Sequence, residues 1–170
     1  MPCNSGLTLF EIMYRKYFRR IYNYAYMRLL NSKTAEDVTQ EVFLAALTAI
    51  DRFDPLRGSS EAWLSKIAAN LVTDFQKRAR NYREISVREV PETAVEDNFD
   101  DEGTLKNPVS QQVYRILRKL SEEERELLAL RCEWDLTNEE IAACMGISTN
   151  AVSHRFSRLL AKCRQIDGEA

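Results

Sequence analysis

Apolar residues recur every three or four positions along most of the chain, the spacing of helices that bury one face. Leu9, Met13, Tyr17, Ile21 and Tyr24 form one stripe and Val38, Val42, Ala45 and Ala49 a second. Leu64, Ile67, Ala68, Leu71, Val72 and Phe75 form a third. The run Asp54-Pro55-Leu56-Arg57-Gly58-Ser59-Ser60 before it supplies a loop and a capping hydroxyl. No stretch alternates apolar and polar residues well enough to demand a strand, although Ile85 to Val90 is short and ambiguous. From Val87 to Asn107 the period fades. Pro91 and Gly103 interrupt it, Pro108 closes it, and Glu92, Glu96, Asp97, Asp100, Asp101 and Glu102 repel one another. Helical spacing returns with Val109, Val113, Ile116, Leu117 and Leu120. The pattern predicts an all-α protein of two small helical domains, residues 8–83 and 108–166, joined by a flexible acidic linker over 84–107.

The second domain carries the sharper motif. Ser121 with Glu124 and Thr137 with Glu140 have capping-box spacing, Gly146 breaks the helix after Ile141 and Ala142, and Ser148 can cap another. A helix-turn-helix needs a small residue where its helices touch, a permissive residue in the turn and an apolar anchor in the second helix. Ala142, Gly146 and Val152 supply them. The less favoured alternative is that Gly146 merely ends a helix in an ordinary bundle. At 100° per residue Val152, Phe156, Leu159, Leu160 and Cys163 share one side of the last helix. Asn150, His154, Ser157 and Arg158 face away, with Ser153 and Arg155 flanking them. Arg bonds guanine bidentately and Ser, Asn and His reach base edges or phosphates, so this face suits a major groove. Each residue singly is also compatible with plain solvated surface.

Two further polar faces lie in the first domain. On the Trp63 helix, Lys66, Asn70, Thr73, Asp74 and Lys77 recur at three or four, and Arg78, Arg80 and Arg83 extend the positive charge. An aromatic beside a basic groove suits unstacked bases, while a solvated helix face over a core Trp fits the spacing as well. Asp37, Gln40, Glu41 and Leu44 share an acidic face with a leucine out of place on it, which fits a partner helix or an ordinary surface equally.

Charge separates along the chain although the net value is only -2. Residues 1–83 hold 13 Lys and Arg against 8 Asp and Glu, residues 84–107 hold 2 against 8, and residues 108–170 hold 9 against 10. Arg155, Arg158, Lys162 and Arg164 make an acid-free basic patch, suited to phosphate. Cys3, Cys132, Cys144 and Cys163 form no CxxC pair and His154 is the single histidine, so neither a disulfide framework nor a zinc site is expected. With no membrane span, no signal pattern, no glycine-rich phosphate loop and no catalytic triad order, the chain reads as a cytoplasmic non-enzyme without a cofactor.

Four stretches, in this order, resemble the extracytoplasmic-function (group IV) RNA polymerase sigma factors. They are Ala35-Glu-Asp-Val-Thr-Gln-Glu-Val-Phe43, Trp63-Leu-Ser-Lys-Ile-Ala-Ala-Asn70, Leu120-Ser-Glu-Glu-Glu-Arg125 and Asn138-Glu-Glu-Ile-Ala-Ala-Cys-Met-Gly-Ile-Ser148. The resemblance spans about residues 8–166 and implies the family's second and fourth conserved regions. It implies that Asp37, Gln40, Glu41 and Leu44 dock on the clamp helices of the largest subunit of core RNA polymerase. It implies that Trp63, Lys66, Asn70, Asp74, Lys77 and Arg78, with the Phe53–Ser60 loop, meet melted single-stranded minus-ten DNA, Asn70 capturing a flipped base. Asn150, Ser153, His154, Arg155, Ser157 and Arg158 would read the double-stranded minus-thirty-five element. Many relatives have a basic residue where Ser153 stands. The resemblance further implies a separate anti-sigma protein as regulator and an acidic linker threading the polymerase's RNA exit path. The competing reading is a stand-alone helix-turn-helix regulator whose first domain dimerises or binds an effector.

Overall fold

A computed structural model describes the backbone of residues 4–89 and 108–169 and the side chains of residues 6–83 and 111–169. The first unit contains α1 (Asn4–Leu29), α2 (Ser32–Ala49), a 3-10 turn at Ile50–Arg52 and α3 (Ser60–Glu89). The second contains α4 (Pro108–Arg118), α5 (Glu122–Trp134), α6 (Asn138–Met145) and α7 (Thr149–Gly168). The described residues contain no strand.

Local chemistry accounts for most helix ends. The Asn31 side chain accepts from the Thr34 amide at 2.9 Å and caps α2. The Ser59 hydroxyl accepts from the Ala62 amide at 3.1 Å and caps α3, as the loop composition predicts. Leu30, between α1 and α2, adopts φ 55, a left-handed conformation that a leucine keeps only because its buried side chain holds it in place. With no Gly or Pro between Ser60 and Pro91, α3 continues to Glu89 and takes in residues 84–89, which the fading period assigns to the linker. Residues 90–107, the remainder of that assignment, lie outside the described residues.

Met13, Tyr17, Ile21 and Tyr24 of α1 are buried against Val38 and Val42 of α2 and Leu64, Ala68 and Val72 of α3. On α2 the buried arc differs from the expected stripe: Ala35, Thr39, Phe43 and Ala46 are buried, whereas Ala45 and Ala49 are half-buried. This helix packs against both α1 and α3, so its buried arc is broader than a single contact line and shifts by one position. The hydroxyl of Thr39 is satisfied by donating to the Ala35 carbonyl at 2.6 Å. In the second unit Leu117, Leu120, Leu127, Leu130, Ile141, Val152 and Leu159 form the core, while Val113 is exposed.

The two units pack on each other through α5 and α1. Trp134, only 2% exposed, has its ring centroid 6.4 Å from that of Tyr17 and 6.3 Å from that of Tyr24. Arg28, almost fully buried, donates to the Tyr24 hydroxyl and to Gln76 Oε1, both at 3.0 Å. Its Nη2 also lies 3.7 Å from Glu126 of α5. Asn23 donates to Glu133 at 3.4 Å, and Arg80 stands 3.7 Å from Glu122. Burial pushes the Tyr24 hydroxyl up to about 12, with Arg28 pulling the other way, and also raises the Glu133 carboxyl from its ordinary value.

Candidate nucleic-acid and protein interfaces

The helix-turn-helix is built as its motifs predict. The Thr137 hydroxyl accepts from the Glu140 amide while the Glu140 carboxylate accepts from the Thr137 amide, so α6 opens on a capping box. It closes at Gly146, whose φ of 66 lies in the left-handed region, and the Ile147 amide returns to the Ala142 carbonyl at 3.1 Å. Ser148 then caps α7 by accepting from the Ala151 amide. Val152 and Leu159 anchor α7 in the core, and this leaves Asn150, Ser153, His154, Arg155, Ser157 and Arg158 all exposed.

Charge on α7 is less free than its composition implies. Arg155 pairs with Glu123 of α5 at 3.4 Å and Lys162 with Glu124 at 2.6 Å. Burial alone would raise the Glu124 carboxyl, but the Lys162 ammonium and the Ser121 amide outweigh it and hold the group below its ordinary value. Among the described residues, Arg158 and Arg164 have no ion pair. An exposed pair such as Arg155–Glu123 contributes about 1 kcal/mol at most, so a phosphate can replace it. Ser153 is not a loose surface hydroxyl: Asn138 Nδ2, at the start of α6, donates to it at 2.9 Å.

On α3, Lys66, Asn70, Asp74, Lys77 and Arg78 are exposed together. Thr73, which shares their spacing, turns inward and accepts from both terminal nitrogens of Arg28 at 3.4 Å, so it leaves the stripe. Trp63 is half-buried, its ring 5.0 Å from that of Phe53 across the loop. In that loop the Asp54 carboxylate accepts from the Leu56 amide at 2.9 Å, and Leu56 is 96% exposed. Nothing in the apolar period singles out Leu56.

On α2, Asp37, Gln40, Glu41 and Leu44 are exposed, Leu44 by 65%. Spacing alone does not reveal what borders them. Tyr14 and Phe18 of α1, both exposed, lie with their ring centroids 4.7 Å and 6.0 Å from that of Phe43, and Leu47 is also exposed. The pair Tyr14 and Phe18, four apart and off the core stripe of α1, is the signal that could have found it. An acidic face beside an aromatic patch suits a partner protein with basic and apolar groups. Among the described residues no group of three His, Cys, Asp or Glu is placed to hold a metal ion, and no helix is long and apolar enough to cross a membrane.

A helical unit bearing these two faces, followed by a helix-turn-helix unit, defines the class of protein. Residues 13–82 match the family profile for Sigma-70 region 2 and residues 110–163 that for Sigma-70, region 4. The chain is 32% identical over 154 residues to the RNA polymerase sigma factor YlaC of Bacillus subtilis, covering 87% of this chain and 86% of that protein. It is 31% identical over 134 residues to the ECF RNA polymerase sigma factor ShbA of Streptomyces griseus, covering 77% and 70%. Against the ECF RNA polymerase sigma factor BldN of Streptomyces coelicolor the identity is 31% over 156 residues and 90% of this chain, which spans 59% of that longer relative. The chain belongs to the extracytoplasmic-function RNA polymerase sigma factors. Among solved structures, CnrH in complex with the cytosolic domain of CnrY has TM-score 0.65 and 25% identity over 95% of this chain and 89% of that one. The fold is also that of the sigma factor RpoE in complex with the anti-sigma factor NepR from Bartonella quintana, with TM-score 0.69 and 20% identity over 92% and 95%.

Proposed function

We propose that this chain is a group IV sigma factor: it binds core RNA polymerase in the cytoplasm, directs it to promoters, assists strand melting and performs no covalent chemistry. The observation that carries the reading is the pair of Sigma-70 matches in order, regions 2 and 4, with every candidate contact residue except the half-buried Trp63 exposed. In this reading Asp37, Gln40, Glu41 and Leu44 engage the clamp helices of the largest polymerase subunit, and the neighbouring Tyr14 and Phe18 supply apolar contact. Trp63, Lys66, Asn70, Asp74, Lys77 and Arg78 receive the melted minus-ten strand. Asn70 offers an amide that both donates to and accepts from a base edge, which offsets part of the few kcal/mol that unstacking costs. The exposed face of α7 reads the minus-thirty-five duplex. Two solved structures of similar fold are complexes, one with an anti-sigma factor, and an anti-sigma partner for this chain follows by analogy.

Run-off transcription with purified core polymerase on genomic fragments tests the reading. Discrete transcripts that depend on the added chain are expected. Sequence-specific duplex binding by the chain alone, with no effect on transcription, would instead identify a stand-alone helix-turn-helix regulator. Asn70→Ala is expected to spare duplex promoter binding by holoenzyme and to reduce permanganate reactivity in the minus-ten region, with partial rescue on a pre-melted template.

A further inference from the structure

At the junction of α5, α6 and α7 a short chain of side chains connects the protein interior to the exposed face of α7. Arg131 of α5 donates through Nη1 to the Leu136 carbonyl at 3.1 Å, and its guanidinium lies 4.9 Å above the Phe156 ring. Its Nη2 donates to the side-chain oxygen of Asn138, the first residue of α6. The Asn138 amide nitrogen in turn donates to Ser153 Oγ at 2.9 Å. Each link fixes the next. A guanidinium has donors only, so it must face the amide oxygen, and the amide NH2 is then left for Ser153. The Ser153 hydroxyl accordingly accepts from the protein. Among the described residues nothing takes its proton, and the side chain is exposed in the second turn of α7.

A hydroxyl normally serves base donors and acceptors alike. We propose that Arg131 and Asn138 bias the hydrogen-bond polarity of Ser153: the Asn138 amide occupies one of its two lone pairs, so α7 presents the free O–H proton with a single remaining lone pair and favours a base edge that accepts. The matching edges are N7 or O6 of guanine, N7 of adenine and O4 of thymine, in preference to an amino group. Asn138 is a positioning residue that acts through Ser153. The inference rests on the reading of α7 as the helix that meets the minus-thirty-five duplex.

The test uses holoenzyme, the full chain with core polymerase, on duplex promoters randomised across the upstream element. Ser153→Ala is expected to flatten base preference about threefold to tenfold at one position and to leave the others as they are. Asn138→Asp reverses the logic, because a carboxylate accepts both from Arg131 and from the Ser153 hydroxyl, whose lone pairs alone then face the DNA. Preference at the same position moves toward a base pair presenting an amino group, cytosine N4 or adenine N6. An acid in the first turn of α6 also suits the helix dipole, so helix content by circular dichroism stays at the wild-type level. Wild-type preference retained by Asn138→Asp at the Ser153-sensitive position overturns the proposal, as does an unchanged profile for Ser153→Ala. If wild-type holoenzyme shows no sequence preference at all, the reading of α7 fails and the proposal falls with it, an outcome visible before either variant is made.

Discussion

Tyr17 joins several interactions in one side chain, its hydroxyl also lying 3.1 Å from Ser60 Oγ. Its ring faces Trp134 of the second unit, Lys16 sits 5.0 Å from the ring centroid, and its hydroxyl donates to Glu61 at 2.5 Å. That hydroxyl is the main cause holding the Glu61 carboxyl below its ordinary 4.5. A carboxyl lowered by folding stabilises the folded state above its unfolded value, and this contribution is lost as pH falls through the folded one. Tyr17→Phe keeps the ring and removes the donor. Its stability deficit against wild type, measured by urea unfolding, is expected to be full near neutral pH and to shrink below about pH 4.5. A deficit independent of pH would assign the loss to packing instead. On α7, Arg158 is exposed and without an ion pair among the described residues. Arg158→Ala is expected to weaken binding to the upstream element by about 1–3 kcal/mol at one base if it reads an edge, and evenly across sequences if it meets phosphate. Binding series on mutated promoters separate the two. Core membership of Tyr17 was legible in its spacing, because one helical face repeats every three or four residues. The partner of its hydroxyl was not, because Glu61 is 44 residues away.

At the scale of elements, caps are local and were readable. Ser121–Glu124 and Thr137–Glu140 are both complete capping boxes, since each involves atoms within one turn. Gly146 takes the left-handed conformation expected of it, and a Cβ built there meets nothing within 4 Å. Gly146→Ala is therefore expected to cost about 1 kcal/mol from backbone conformation alone, read as a lower urea midpoint with an unchanged slope. A much larger loss would mean a clash that the geometry does not contain. For α2, Asp37→Ala with Gln40→Ala is expected to weaken capture by core polymerase while leaving helix content intact, because both side chains project into solvent. Unchanged capture in a pull-down would remove this face from the interface. The extent of α3 and the buried arc of α2 were less legible. Helix propagation past residue 83 needs only the absence of a breaker, and the arc of α2 depends on which two neighbours it touches.

For the whole molecule, the docking of α5 on α1 sets a limit on what the compact form can do. Asn70 and Arg80 are ten residues apart on α3, about 15 Å. Arg80 pairs with Glu122, and the adjacent Glu123 pairs with Arg155 of α7. Even with those side chains extended, Asn70 and Arg155 are within about 50 Å. Elements named minus-ten and minus-thirty-five are about 25 base pairs apart, about 85 Å at about 3.4 Å per pair. In the proposed function the two units therefore separate when both elements are bound. Trp134 closes the docked form, so Trp134→Ala is expected to raise the radius of gyration in small-angle scattering and to leave helix content nearly unchanged. An unaltered radius would show that the ion pairs at Glu122 and Glu126 suffice without the indole.

Helical class, the helix-turn-helix and the three outward faces follow from the sequence by itself, because period and capping are relations between residues a few positions apart. Tertiary structure alone decided that Trp134 is buried against Tyr17 and Tyr24, that Thr73 turns to Arg28, and that Asn138 grips Ser153. Those outcomes depend on which surfaces meet, and two helical units with apolar and charged residues at their margins can satisfy the same periodicity whether docked or apart. Docking is settled by a few long-range contacts, among them Arg28 to Glu126 and Asn23 to Glu133, whose partners lie about a hundred residues away.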